Sequence, residues 1–208
     1  MPVIFDMDGV IADTQKIHSR IEAEMLASYG ITISPAEITR RFSGRSLKDM
    51  FDTVFCEAGL PCPYKPEVSD LKAERFMDCV GEFVGIPGTL ACIKQLHSRI
   101  PLAVASASRL PVIDLVLSTL KIKDKFTALT SSREVKNGKP APDVFLLAAQ
   151  RLNASPSTCV VVEDGISGML GARAAGMRCI ALVSDDNTDY PADLIVRDLR
   201  EVQLEWFD

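Results

Sequence analysis

The chain begins its first apolar run at Val3-Ile4-Phe5-Asp6-Met7-Asp8-Gly9-Val10-Ile11-Ala12-Asp13-Thr14, VIFDMDGVIADT over residues 3–14. A strand buried in a parallel sheet reads as a continuous apolar run rather than an alternating one. Residues i and i+2 of an extended chain face the same side. Asp6 and Asp8 therefore point together from the carboxyl end of the first strand. In open α/β sheets that end of the strands is where ligands bind. A turn or a helix cap explains one acid at such a position; it does not readily explain two.

Five more apolar runs, over residues 102–105, 127–130, 159–162, 179–183 and 194–196, read as buried strands. Helix-like segments lie between them, over 89–99 after a Pro87-Gly88 turn, 110–120, 142–152, and 167–175 closed by Gly176. Alternation from Gly85 onward predicts a doubly wound, Rossmann-like parallel α/β sheet. Residues 14–84 break that alternation. Ile17, Ile21, Met25 and Leu26 recur at helical spacing, Gly30 ends that segment, and Ser34-Pro35-x-Glu37 reads as an N-cap, a first-turn proline and a first-turn acid. The expectation is an all-helical cap domain, 14–84, inserted into an α/β core made of 1–13 and 85–208. Two crossings would join them, as in a lid.

Composition narrows the class. The chain has 208 residues, a net charge of −5, 47% hydrophobic and 25% charged residues, as in ordinary globular proteins. That charge argues against a nucleic-acid surface spread over the whole chain. No apolar run approaches the roughly 18 residues that a membrane span needs. The first strand starts at Val3, which leaves no room for a leader before it. The six cysteines form no C-x-x-C pair, and only His18 and His97 could join them on zinc. They read as reduced, mostly buried thiols of a cytoplasmic protein. Nothing in the sequence asks for more than a monomer.

A second acidic pair, Glu163-Asp164, ends the strand in CVVVEDG (159–165). On a parallel sheet both pairs lie at one edge, where the carboxylates repel one another and a cation relieves them. All-oxygen ligands favour a hard ion, Mg²⁺ before Ca²⁺ or Mn²⁺. LAVASASR (102–109) ends in Ser106, Ala107, Ser108 and Arg109. The Ser106 hydroxyl and the N–H groups of that turn suit anionic oxygens, and Ser108 reads as the N-cap of the next helix. Lys139 in NGKPAPDVF (137–145) is stiffened by two prolines and finds a partner in the acidic edge.

Asp6-Met7-Asp8-Gly9, Ser106 after its strand, Lys139-Pro140-x-Pro142-Asp143 and Glu163-Asp164, in that order, resemble the four motifs of the haloacid dehalogenase superfamily of phosphotransferases. GISGMLGARAAGM (165–177) resembles the helix after the fourth motif, and the helical insert is similar to the family's helical-cap subclass. The resemblance implies that Asp6 attacks phosphorus and Asp8 serves as general acid and then base. It places Mg²⁺ on Asp6, the Asp8 carbonyl and Asp164, with Glu163 direct or through water. Ser106, the turn at Ala107 and Lys139 would hold the phosphoryl oxygens. An acid at Asp8 implies phosphate esters, because the dehalogenase and phosphonate branches lack it. Gly165 departs from the Ser or Thr common there. His18, Arg45 and Lys72 are similar in place to residues that meet the sugar phosphate in β-phosphoglucomutase. The competing readings put His18 at a seam and Lys72 on a solvated face. The expected function is a Mg²⁺-dependent phosphatase of a small phosphorylated metabolite, a sugar phosphate or sugar-acid phosphate, acting through an aspartyl-phosphate. The alternative is a β-phosphoglucomutase-like phosphosugar mutase. A phospho-receiver module fits neither the first-strand D-x-D nor the helical insert.

Overall fold

Each apolar run becomes a strand: β1 (Val3–Phe5), β2 (Leu102–Ser106), β3 (Ala128–Ser131), β4 (Val160–Glu163), β5 (Arg178–Leu182) and β6 (Leu194–Val196). The computed structural model describes residues 1–42, 45–184 and 189–207. The strands form one sheet in the order β3-β2-β1-β4-β5-β6, and every neighbouring pair is parallel. The helices are α1 (Gln15–Ala27), α2 (Pro35–Phe42), α3 (Leu47–Glu57), α4 (Pro66–Asp78), α5 (Pro87–Leu96), α6 (Leu110–Thr119), α7 (Asp143–Arg151) and α8 (Ile166–Ala174). The doubly wound parallel sheet with an all-helical insert, as read from the sequence, is the fold observed.

The chain forms two compact units, Met1–Asp13 with Phe83–Asp208, and Thr14–Glu82. In the first, β1, β2 and β4 are buried along their whole length. Alternate strand residues such as Ile4, Ala103 and Val161 join Val144, Phe145 and Met169 of α7 and α8 in a continuous core. Small strand residues let those helices approach the sheet closely. The chain leaves and re-enters this unit side by side: Ala12 bridges Gly85 in antiparallel sense, and the Asp13 N–H donates to the Val84 carbonyl at 2.9 Å.

In the helical unit, α1 buries Ile17, Ile21, Met25 and Leu26 on one stripe. α3 contributes Phe51 and Phe55, stacked 5.7 Å apart between centroids. Ser34 accepts the Glu37 N–H at 3.2 Å, as an N-cap should. α1 stops at Ala27, and Gly30, with φ of +80°, completes the turn after it.

Two expectations are corrected. Pro87 and Gly88 open α5 rather than precede it, because proline's fixed φ and missing N–H suit the first helical position. A Cβ at Gly88 would stand 2.1 Å from Asp198 Oδ1, so glycine leaves that carboxylate in place. Only three thiols are buried, Cys92, Cys159 and Cys179, while Cys56 and Cys62 are exposed and Cys79 lies between. The exposed pair sits at the end of α3 and in the following loop, outside the aromatic cluster. Burial pushes the Cys92 and Cys179 thiols up to about 12, so they are packing groups rather than nucleophiles. Among the described residues, no helix is long and apolar enough to cross a membrane.

Candidate active site

The strand order reverses between β1 and β4, so the loops after these strands diverge and leave a crevice at their carboxyl ends. Phe5 pairs with Val162 across that junction. The next residues, Asp6 and Glu163, therefore emerge beside each other. β1 stops at Phe5, so Asp6 and Asp8 stand beyond the ladder rather than on it. The Met7 carbonyl takes the N–H groups of Ile11 at 2.9 Å and Ala12 at 3.0 Å, which turns the chain back. Gly9 has φ of +86° within this turn. A Cβ there would also lie 2.0 Å from Asp164 Oδ2, so glycine serves both the turn and the carboxylate next to it.

Asp6, Glu163 and Asp164 each offer an oxygen, and these oxygens lie within 4.8 Å of one another. Lys139 spans two of them. Its Nζ donates to Asp6 Oδ1 and, at 2.6 Å, to Glu163 Oε1; it also reaches the Ala105 carbonyl at 3.1 Å. The second Glu163 oxygen takes the Gly165 N–H at 2.9 Å. Burial first, then Glu163, Asp164 and Asp8, raise Asp6 well above the usual carboxylate range against the pull of Lys139. Burial and Glu163 likewise push Asp164 up to about 7. Burial alone would lower the Lys139 ammonium, but Asp6 and Glu163 reverse this and hold it charged. One ammonium among this many carboxylates leaves excess negative charge. The all-oxygen donor set fits a hard divalent cation, which Asp6, Asp164 and Glu163 could hold.

Packing fixes this cluster. Asp143 Oδ2 accepts both the Asn137 N–H at 3.3 Å and Asn137 Nδ2 at 3.2 Å, closing the loop that carries Lys139. α8 passes over that loop through Gly171, where a Cβ would meet the Phe145 ring at 3.1 Å and the Ala141 carbonyl at 3.2 Å. At Gly168 a Cβ would sit 1.7 Å from Glu163 Oε1. Glu163 is itself buried and bonded at both oxygens, so it has nowhere to move. Gly168→Ala is therefore expected to destabilise the fold by about 1–3 kcal/mol and to displace Glu163 from Lys139. A denaturant titration checks the first effect; unchanged stability contradicts the packing argument.

The turn after β2 completes the edge. Ser106 is buried at the strand end, Ala107 is exposed on the turn, and Ser106 Oγ accepts the Ser108 N–H at 3.0 Å. Ser108 does not cap α6; Arg109 is the N-cap residue, and it makes no side-chain cap bond. The Ser108 hydroxyl turns instead to Asp8 Oδ2 at 3.1 Å. The structure thus brings Asp6, Asp8, Ser106, Lys139, Glu163 and Asp164 to one sheet edge.

The remaining candidates belong to the helical unit. His18 on α1 stacks on Phe76 of α4 with centroids 4.4 Å apart and planes 9° from parallel. One helical turn along, Lys72 pairs with Glu22 at 2.6 Å, with side chains only 21% and 14% exposed. Lys72 is thus not on a solvated face. The Arg45 guanidinium lies 5.7 Å from the Phe42 ring centroid; Ser43 and Gly44 before it fall outside the described residues. Sequence reasoning missed Asn137 and Ser131. Ser131 ends β3 and Asn137 lies in the loop before Lys139, and no spacing distinguishes either from ordinary polar loop residues.

Residues 3–182 match the family described as haloacid dehalogenase-like hydrolase. Hexitol phosphatase B of Escherichia coli (strain K12) is 30% identical over 210 residues, spanning 97% of this chain and 94% of the relative. Fructose-1-phosphate phosphatase YqaB of Escherichia coli (strain K12) is 32% identical over 181 residues, 86% of this chain and 94% of the relative. The crystal structure of β-phosphoglucomutase from Clostridium difficile is similar with a TM-score of 0.85 and 26% identity, covering 99% of this chain and 94% of that one. The order of the motifs, the sheet that carries them and these full-length similarities agree: the chain belongs to the haloacid dehalogenase-like hydrolase family.

Proposed function

We propose that this protein is a Mg²⁺-dependent phosphatase of a small phosphorylated metabolite, a sugar phosphate or sugar-acid phosphate, working through an aspartyl-phosphate on Asp6. The observation that carries the reading is the buried Asp6–Lys139–Glu163 constellation at the sheet's switch point, with Asp164 beside it. The phosphatases similar to this chain over nearly its whole length support the same class.

Asp6 attacks phosphorus, and the bond from phosphorus to the ester oxygen breaks. Asp8 gives its proton to that leaving oxygen, then, as a carboxylate, takes a proton from the water that attacks the aspartyl-phosphate, and the bond from phosphorus to the Asp6 oxygen breaks to free phosphate. Ser106, the Ala107 N–H and Lys139 hold the non-bridging oxygens and offset their growing charge. Asp6, Glu163, Asp164 and the Asp8 carbonyl would hold magnesium, which when bound supplies charge neutralisation at a phosphoryl oxygen. The helical unit, inserted directly after the DxD turn, selects the substrate through His18, Arg45 and Lys72. Lys72 must then meet substrate while paired with Glu22, or exchange one partner for the other. We place the enzyme in the cytoplasm.

The second reading is a phosphosugar mutase, favoured by the similarity to β-phosphoglucomutase and by His18. The two differ in whether water or a sugar hydroxyl takes the phosphoryl group. A screen of phosphorylated metabolites, scoring phosphate release and isomerisation of β-glucose 1-phosphate in parallel, tests both. Phosphate release from a sugar phosphate without isomerisation is expected; isomerisation without release favours the mutase.

Metal binding has its own signature. Asp164 is pushed from 3.8 to about 7, and Asp6 upward as well. Between those pH values the native state holds protons that the unfolded chain has already released. Without a cation these groups therefore lower folding stability as pH rises through that interval. Mg²⁺ bound by the ionised carboxylates takes the place of the protons. Saturating MgCl₂ should raise Tm more at pH 8 than at pH 5. Equal shifts at both pH values contradict the metal assignment.

A further inference from the structure

Asp8 is held by a run of serines that reaches back to the third strand. Ser131 ends β3 and is fully buried. Its Oγ donates to the Ser108 carbonyl at 2.7 Å and accepts the Arg133 N–H at 3.1 Å. Its own N–H donates to Glu134 Oε2 at 2.9 Å, and Glu134 is paired with Arg151 at 2.7 Å. Ser131 is therefore fixed from three directions. Ser108, held by its carbonyl, donates its N–H to Ser106 Oγ at 3.0 Å and its hydroxyl to Asp8 Oδ2 at 3.1 Å. The placement of one residue thus sets two groups of the site. Ser131, with no exposed surface, cannot touch a substrate.

We propose that Ser108 and Ser131 are positioning residues for proton transfer by Asp8: the Ser108 hydroxyl anchors the Asp8 carboxyl through Oδ2, and Ser131 fixes Ser108 through its carbonyl. The inference rests on the reading of Asp8 as acid and base. A hydroxyl that donates to one carboxyl oxygen restricts the rotation of the whole carboxyl group and so fixes its aim. Proton transfer also demands placement within a few tenths of an ångström. Losing the Ser108 hydroxyl should therefore slow reactions that need the proton and spare those that do not.

The test measures kcat and KM for alkyl phosphates, and the first-turnover release of the alcohol from aryl phosphates. The proteins are the full-length wild type, Asp8→Asn, Ser108→Ala, Ser108→Thr, Ser131→Ala and the double alanine variant. Ser108→Ala should lose about tenfold in kcat on alkyl phosphates, with KM and the aryl first turnover nearly unchanged. Ser108→Thr, which keeps the hydroxyl, should recover most of the loss. Ser131→Ala should show the same selectivity, and the double variant should fall no lower than Ser108→Ala, because the two act in series. If Ser131→Ala melts early, Ser131→Cys keeps the volume and a weaker donor and should give an intermediate loss of the same selectivity. A rise in KM at constant kcat overturns the proposal and makes Ser108 a substrate contact. Equal losses on alkyl and aryl esters overturn it as well. Asp8→Asn separates the levels. If it shows no leaving-group selectivity, or if the wild type cleaves no phosphate ester, the reading of Asp8 fails and takes the proposal with it. If Asp8→Asn is selective and Ser108→Ala is not, the positioning role alone fails.

Discussion

Asp6→Asn should lower kcat on any phosphate ester by at least about 1,000-fold while the protein stays folded. The change removes the attacking oxygen and almost no volume. It also removes one carboxylate from a cluster in which Asp6 is held above the usual range by burial and by Glu163, Asp164 and Asp8. The amide keeps an oxygen toward the Lys139 ammonium, so the side chain retains a partner there. Melting temperature in the absence of metal should therefore be unchanged or higher. A melting curve separates loss of chemistry from loss of fold. A folded Asp6→Asn protein with wild-type turnover removes the nucleophile assignment.

Asp8→Asn should divide substrates by their leaving groups. Alkyl esters, whose departing oxygen needs a proton, should slow by about 100- to 10,000-fold. The first-turnover release of an aryl alcohol, a far better leaving group, should slow by less than about tenfold. The second half of the reaction then stalls for every substrate, since Asp8 also activates the water. A burst of aryl alcohol followed by slow turnover is the expected record. Equal slowing of the first turnover for both ester classes counts against an acid role. Asp8 suits this division of labour by its position: it lies within the turn closed on the Met7 carbonyl, with Oδ2 on Ser108, while Asp6 lies on the Lys139–Glu163 side.

What the sequence shows and what it hides follow from the range of the interactions. Strands buried on both faces announce themselves by composition alone, so VIF, LAVAS and VVVE stand out without neighbours. The acids at their ends are visible too, as is the rule that ligands bind at that sheet edge, but β1 stops at Phe5, so the turn closed on the Met7 carbonyl, not period-two geometry, places Asp8. The excess of glycine and alanine in α8 is also visible, but its purpose is not. That Gly168 clears Glu163 and Gly171 clears Phe145 emerges only when the helix lies over the Lys139 loop. The Ser108 bond to Asp8 spans 100 residues in sequence, whereas a serine just before a helix reads locally as its N-cap. The same holds for Lys72. An isolated lysine on a polar helix face looks solvated until α1 supplies Glu22. Long-range polar pairs have no sequence period, so Ser108–Asp8 and Lys72–Glu22 leave no local signal, whereas Lys139 is legible because it sits in a family-like motif.

The covalent intermediate is the central claim, and Asp8→Asn exposes it. Mixed with an aryl phosphate and Mg²⁺, this variant should form the aspartyl-phosphate and fail to hydrolyse it. Quenching after the burst, reducing with borohydride and mapping the peptides by mass spectrometry should find homoserine in place of aspartate at position 6, in an amount matching the alcohol released. A stoichiometric burst with position 6 unmodified, or with the modification on another residue, contradicts the account.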